Sequence, residues 1–237
     1  MVAGHMVEKK KSGAAPYNEK AAWDKLDAAK KSFVIRVLNW FHFRPGQLAE
    51  SWEREEVLTW ELFRAFEVLP RRLFLFPLLD LISQRNASCA GLVSHLQSAG
   101  GSLQIDAYPL MRLTGSKRNR RSDIGIAHPD GTQLWLEAKT VILTSKGVEE
   151  LQQQLQDQQE ALEGITGNNS SKVVALVTSR DEADRFPVIT WADVLCALES
   201  TIADLTALNS DSNDFGGYLL VARELHGRIR GHQNRIV

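Results

Sequence analysis

Arg121-Ser122-Asp123-Ile124-Gly125-Ile126-Ala127-His128-Pro129-Asp130-Gly131-Thr132-Gln133-Leu134-Trp135-Leu136-Glu137-Ala138-Lys139 reads as two short apolar segments folded about one tight turn. Pro129 stands where a type I turn prefers proline, and Gly131 where the chain needs a left-handed residue. Together they mark a three-residue hairpin loop. In such a loop His128 faces Thr132, and pairing outward from there sets Asp123 opposite Glu137 on one face of the sheet. Lys139, two residues beyond Glu137, shares that face because strand side chains alternate.

Facing Cα atoms in an antiparallel pair lie about 4.5–5.5 Å apart, so two carboxylates here repel unless a proton or cation sits between them. A hard divalent ion with oxygen ligands, Mg²⁺ or Mn²⁺, suits the pair. An ammonium from Lys139 would then lie beside the water that such an ion activates, which is the equipment of metal-assisted phosphodiester hydrolysis. The plain alternative is a surface charge cluster, and acidic-x-Lys triplets recur by chance, as in Glu8-Lys9-Lys10. Against that, Leu134, Trp135, Leu136 and Ala138 are apolar on both faces, so the strand reads as central and buried. Charged groups on a buried strand are costly and call for a reason.

The surrounding chain has two textures. Upstream, Trp23, Leu26, Phe33, Val34, Val37, Leu38 and Phe41 fall at helical spacing up to Pro45-Gly46, and a second helical pattern runs from about 48 to 69. Pro70 suits the first turn of a third helix to about 83, and a short fourth spans about 87–97. The aromatic residues Trp40, Phe41, Phe43 and Trp60 read as core. Downstream, 103–108 alternates as a strand, and 122–128 and 132–141 are two more. A glutamine-rich helix covers 148–162, 172–178 is a continuously apolar strand, and 189–199 returns to helix. Helices followed by β-β-β-α-β-α indicate one α/β layer domain with a helical N-terminal extension. Gln152, Gln153, Gln156 and Gln159 read as the wet side of the glutamine-rich helix. Residues 1–17 read as a tag remnant and lead-in, 18–100 as the helical region and 101–204 as the α/β core. Residues 205–237 read as a polar loop followed by a basic segment that is either a frayed terminus or a nucleic-acid arm.

Composition narrows the class without deciding it. The chain has 237 residues, 43% of them hydrophobic, and a formal charge of −1, so any nucleic-acid partner must be attracted by local clustering. One such cluster is Lys117-Arg118-Asn119-Arg120-Arg121 with Arg112, a basic run leading straight into Asp123 that could seat a phosphate backbone. Cys89 and Cys196 are too far apart in sequence to suggest a CxxC or paired motif, which fits a reducing cytoplasm, and no stretch is long and apolar enough to imply a membrane. There is no GxxxxGK[ST] phosphate loop and no nucleophile elbow.

These elements resemble the PD-(D/E)xK nuclease superfamily, of restriction-endonuclease-like fold. The resemblance covers about residues 48–200. It rests on Asp123, Glu137-Ala138-Lys139, a following helix with Gln154-Leu155 and Gln158, the acidic Glu55-Glu56-Val57-Leu58-Thr59 upstream, and the passage from Val188 to Leu195 downstream. Gln158 stands where the family's Gln-x-x-x-Tyr signature has tyrosine. The resemblance implies a central mixed β-sheet flanked by helices. It implies Asp123, Glu137 and the Ala138 carbonyl as ligands of Mg²⁺ (or Mn²⁺), Lys139 as the residue that positions the attacking water, Glu55 as a further acidic group, and Gln154 as a support of the site. The expected activity is that of a nuclease, a DNA endonuclease in the first instance, for which a homodimer would suit two-strand cleavage. The rival expectations are a nuclease-like binding module without activity, and a partner-binding protein whose function lies in residues 18–100.

Overall fold

Alternation of apolar residues on short strands and their three- to four-residue spacing on helices generate two separate apolar surfaces, which a single sheet divides. The computed structural model describes residues 55–107, 122–167, 170–212 and 214–236, with side chains from 58 to 234 within those spans. The expected helix before Pro45, with Trp40, Phe41 and Phe43, lies outside them. The described chain forms helices α1 (Glu55–Val68), α2 (Leu75–Arg85) and α3 (Ala90–Ser98), then strands β1 (Gln104–Ala107), β2 (Ile124–Ala127) and β3 (Gln133–Ala138). Helix α4 (Ser145–Thr166), strand β4 (Lys172–Val177), strand β5 (Val188–Thr190), and helices α5 (Trp191–Ser212) and α6 (Gly216–Ile236) complete it.

The sheet is mixed, in the order β1-β2-β3-β4-β5. β1, β2 and β3 run as an antiparallel meander, and α4 carries the chain over to β4, which pairs parallel to β3; β5 then adds parallel to β4. The strand with Glu137 is therefore central, and five of its six residues are buried. One face of the sheet (Ile105, Ile124, Ile126, Leu134, Leu136, Val174, Leu176) packs with Leu62, Phe66, Leu79, Leu96, Leu198 and Leu225 of the helices. The opposite face sets Trp135, Val173, Ala175 and Val177 against Leu151, Leu155 and Leu162 of α4. Burying each such aliphatic side chain contributes about 1.5–3 kcal/mol before the cost of ordering it.

The hairpin closes as its sequence implies. Gly131 N–H donates to the His128 carbonyl at 2.9 Å and His128 N–H to the Thr132 carbonyl at 2.8 Å, around the loop Pro129-Asp130-Gly131. Gly131 has φ +94°, and a Cβ built there would meet nothing within 4 Å. Only the backbone opposes a side chain, so Gly131→Ala is expected to lower the unfolding free energy by about 1–2 kcal/mol. Urea denaturation reads this; an unchanged midpoint would show that the turn does not need its left-handed residue.

Several boundaries depart from the sequence reading. Pro70 does not open a helix: residues 71–74 form turns, and α2 starts at Leu75. The fourth helix splits into a 3₁₀ turn, Ala87–Cys89, and α3. Residues 189–190, given to a helix by periodicity, join Val188 in β5, at the start of the passage from Val188 to Leu195 that the resemblance included. Three β-branched residues at the sheet's far edge are too few for periodicity to separate from the helix that follows. The polar loop expected to open the 205–237 segment belongs mostly to α5, which runs to Ser212. The basic terminus is not frayed: it forms the packed helix α6, whose Leu219, Ala222, Leu225 and Ile229 are buried. Their spacing of three to four residues was legible, masked by the intervening Arg and His. Cys196 is exposed, whereas Cys89 is buried and burial pushes its thiol pKa up. The edge of β5 is covered by Asn86, whose side-chain amide donates to the Val188 carbonyl at 3.1 Å and accepts from Val188 N–H at 2.8 Å. It pairs as a neighbouring strand would and blunts the edge. No helix among the described residues is long and apolar enough to cross a membrane.

Candidate functional site

The β2–β3 ladder has the expected register: Ala127 faces Gln133, Ile126 Leu134, Gly125 Trp135 and Ile124 Leu136. It stops one step short of Asp123. There the Asp123 N–H and the Ser122 hydroxyl both donate to the Leu136 carbonyl, at 3.1 and 2.7 Å. The Asp123 carboxylate turns across the strand end and accepts the Ala138 N–H through Oδ2 at 2.7 Å. Asp123 is thus locked beside Glu137-Ala138-Lys139 by a charge-assisted bond to their backbone, rather than by regular pairing with Glu137.

Glu137 is 2% exposed, which for a carboxylate demands compensation. It receives three N–H donors. Lys139 Nζ and Gln154 Nε2 donate to Oε1 at 3.0 and 2.6 Å, and Gln158 Nε2 donates to Oε2 at 2.7 Å. Gln154 and Gln158 lie four residues apart, hence on one face of α4, and that face covers the sheet at Glu137. The expectation that Lys139 shares Glu137's face is met by this ion pair, with side chains 19% and 3% exposed. The main chain of Lys139 is fixed as well. Its N–H donates to the Leu176 carbonyl on β4 at 2.8 Å, and its carbonyl accepts the indole N–H of Trp191 from α5 at 2.9 Å. One residue on, the Thr140 carbonyl lies 2.6 Å from His232 Nε2 of α6. Three elements besides β3 therefore hold the segment 138–140.

Of the residues singled out in the sequence, the structure gathers Asp123, Glu137, Ala138, Lys139 and Gln154 at one end of β2 and β3. Ala138 turns its side chain into the core, and its N–H is the one that Asp123 accepts. Glu55 is the first residue of α1, but its side chain lies outside the described residues. Arg112, Lys117, Arg118, Arg120 and Arg121 also lie outside them. Trp60 packs at a tilt on Phe63, ring centroids 5.2 Å apart, and lies half-buried against the core.

Three participants were missed. Gln158, noted only as a departure from a signature, is fully buried against Glu137; its position four residues after Gln154 was the available signal. Trp191 offered one signal, because a buried indole N–H needs an acceptor. His232 offered none. Gln159 also differs from its expected wet position: it accepts Val173 N–H at 2.9 Å and donates to the Ser171 carbonyl at 3.1 Å, tying α4 to β4.

A second cluster lies at the turn end of the same hairpin. His95, His128 and Asp130 bring their ligand-type atoms within 4.8 Å of one another, a group that could hold a metal ion. No known protein family matches the chain, and comparison with curated proteins and with solved structures finds no significant match.

Proposed function

We propose that this chain is a metal-dependent nuclease with a restriction-endonuclease-like core, hydrolysing phosphodiester bonds of nucleic acid, with DNA as the first substrate to try. The observation that carries the reading is Glu137. It is an acidic group on the central strand of a mixed sheet, paired with Lys139 and braced by two glutamines of the next helix, with Asp123 bonded to the intervening residue. A purely structural charge on that strand has an inexpensive substitute in any apolar residue, so the elaborate bracing argues for chemistry.

The donor set fits a hard divalent cation such as Mg²⁺ or Mn²⁺. The carboxylates of Asp123 and Glu137, with the main-chain carbonyl of Ala138, are all oxygen donors, and a carboxylate has about four lone-pair positions, of which Glu137 spends three on N–H donors. When bound, such a cation polarises a phosphate and lowers the pKa of water. The chain's own residues supply the rest. Gln154 and Gln158 fix the Glu137 carboxylate. Asp123 is fixed by the Ala138 N–H. The Nζ of Lys139, held near the acidic group, donates a hydrogen bond to the attacking water and sets it in line. The basic run before Asp123 gives the reading its nucleic-acid partner, through its sequence position.

A second reading is favoured by one feature: the same three donors, the Lys139 ammonium among them, balance Glu137 without a metal ion. A nuclease-like binding module would look like this, with the Glu137–Lys139 pair standing in for the metal. Supercoiled plasmid, linear duplex, single strands and RNA, incubated with Mg²⁺ or Mn²⁺ and with a chelator, separate the two. Cleavage that requires the ion and disappears in Asp123→Ala is expected. No cleavage of any of the four, together with no Mn²⁺ binding by calorimetry, would replace the enzyme by the binding module.

A further inference from the structure

We propose that His95, His128 and Asp130 form a second metal site, selective for Zn²⁺ or a similar borderline divalent ion, which clamps α3 to the β2–β3 hairpin. It does not depend on the nuclease reading. The two locations lie at opposite ends of β3, on the order of 15 Å apart at about 3.3 Å per residue.

The geometry converges from two elements. His95 stands near the end of α3, and its Nε2 lies 2.6 Å from Asp130 Oδ2. His128 and Asp130 belong to the hairpin loop, with His128 Nδ1 2.8 Å from Asp130 Oδ1. The two imidazoles are neighbours, ring centroids 4.1 Å apart. Among the described residues this is the one group of three such side chains whose ligand atoms come this close. Two imidazole nitrogens and one carboxylate oxygen are a zinc donor set, and three protein ligands leave a fourth tetrahedral position open. Mg²⁺, which prefers six oxygens, is poorly served by imidazole.

Two features prepare the ligands. Asp130 Oδ1 accepts the Thr132 N–H at 2.9 Å, which orients the carboxylate through the turn itself. That backbone bond, with the hydrogen bonds from His95 and His128, outweighs desolvation and holds the Asp130 carboxyl far below the usual carboxylate range. The cluster also borders a cleft of about 690 Å³, lined by His95 and Asp130 with Ser88, Ser170 and Lys172, onto which the fourth position can open.

Competition between the full chain and a chromophoric chelator for Zn²⁺, in excess Mg²⁺ so that hard-ion sites are filled, tests the proposal. One zinc per chain is expected. His95→Ala and Asp130→Asn should each weaken binding by more than the roughly 10–100-fold that the loss of an outer-sphere partner costs. Both should fold, because His95 is partly exposed on a helix and Asn can keep the bond to Thr132. Co²⁺ added to the wild type should show the visible absorption of a tetrahedral nitrogen–oxygen site, and Co²⁺ added to His95→Ala should not. A wild type that takes up no zinc, or variants that take it up as the wild type does through the chain's other histidines, overturns the site.

Discussion

Lys139→Met is expected to slow phosphodiester cleavage by about 10²–10⁴-fold, the range that a positioned proton-handling side chain contributes. The fold should survive, because methionine keeps most of the unbranched stem. Stability must fall nonetheless. Without the ammonium, Glu137 is left at 2% exposure with only the neutral donors of Gln154 and Gln158. Breaking a fully buried pair costs about 3–5 kcal/mol, and since Lys139 is partly open to water the loss here should lie nearer 2 kcal/mol. Adding Glu137→Gln separates the two roles. With both charges gone, the amides of Gln154 and Gln158 can turn to offer oxygen, and most of the lost stability should return. Activity should not return. Urea denaturation and single-turnover cleavage on wild type, the single variants and the double variant give the full cycle. A double variant that recovers cleavage with stability would reduce the Lys139–Glu137 pair to a structural one.

The same cycle bears on why a charge sits on a central strand at all. An apolar pair of similar volume would be no less stable, so the cost is accepted for what the charges do or for the register they specify. The hairpin register does not need them: the turn and the alternation of Ile124, Ile126, Leu134 and Leu136 fix it. That leaves chemistry as the better account, and it makes Asp123 the informative control. Asp123→Asn keeps an acceptor for the Ala138 N–H and so keeps the local structure, while removing a negative charge from the site.

What the sequence made legible follows from the range of the interactions involved. The hairpin was readable because Pro129 and Gly131 act on their own dihedral angles, and the register follows by counting. The centrality of β3 was readable because both of its faces are apolar. The pairing of Lys139 with Glu137 needed only the two-residue strand period. Beyond local reach the reading weakens. Asp123 leaves the ladder because its carboxylate finds the Ala138 N–H, a competition between side chain and sheet that spacing cannot express. The strand β5 is three residues long and becomes a strand by pairing with β4 and by the clasp of Asn86, 102 residues away. The last helix was obscured by its own charges. The His95–His128–Asp130 cluster joins residues from α3 and the hairpin that no linear spacing connects, although His128-Pro129-Asp130 lay within the stretch that decided the fold. Long-range packing chose these partners, and a single sequence carries little trace of that choice.

Trp191 provides the other large effect, and here stability and activity should move together. The indole begins α5, is 2% exposed and lies within the core beneath the sheet. Its N–H donates to the Lys139 carbonyl at 2.9 Å, and so couples the helix to the residue on which the proposed chemistry depends. Trp191→Ala removes a large buried ring and should cost about 3–5 kcal/mol, a substantial part of the stability of an ordinary domain. Trp191→Phe is the sharper test. It retains most of the apolar volume and removes the donor, for a loss of about 1–3 kcal/mol from a buried carbonyl that must then be satisfied less well. If the indole holds Lys139 in place, kcat should drop in Trp191→Phe by about 10–10²-fold at saturating substrate, since displacement of a reacting group by around 1 Å costs up to that much. KM should scarcely change, because Trp191 itself is buried and touches no substrate. The control is Leu198→Ala, a fully buried residue about two turns along the same helix, which should reduce stability by about 2–5 kcal/mol without a comparable change in kcat of the folded fraction. Equal kcat values for Trp191→Phe and wild type would confine the indole to packing and remove it from the positioning of Lys139.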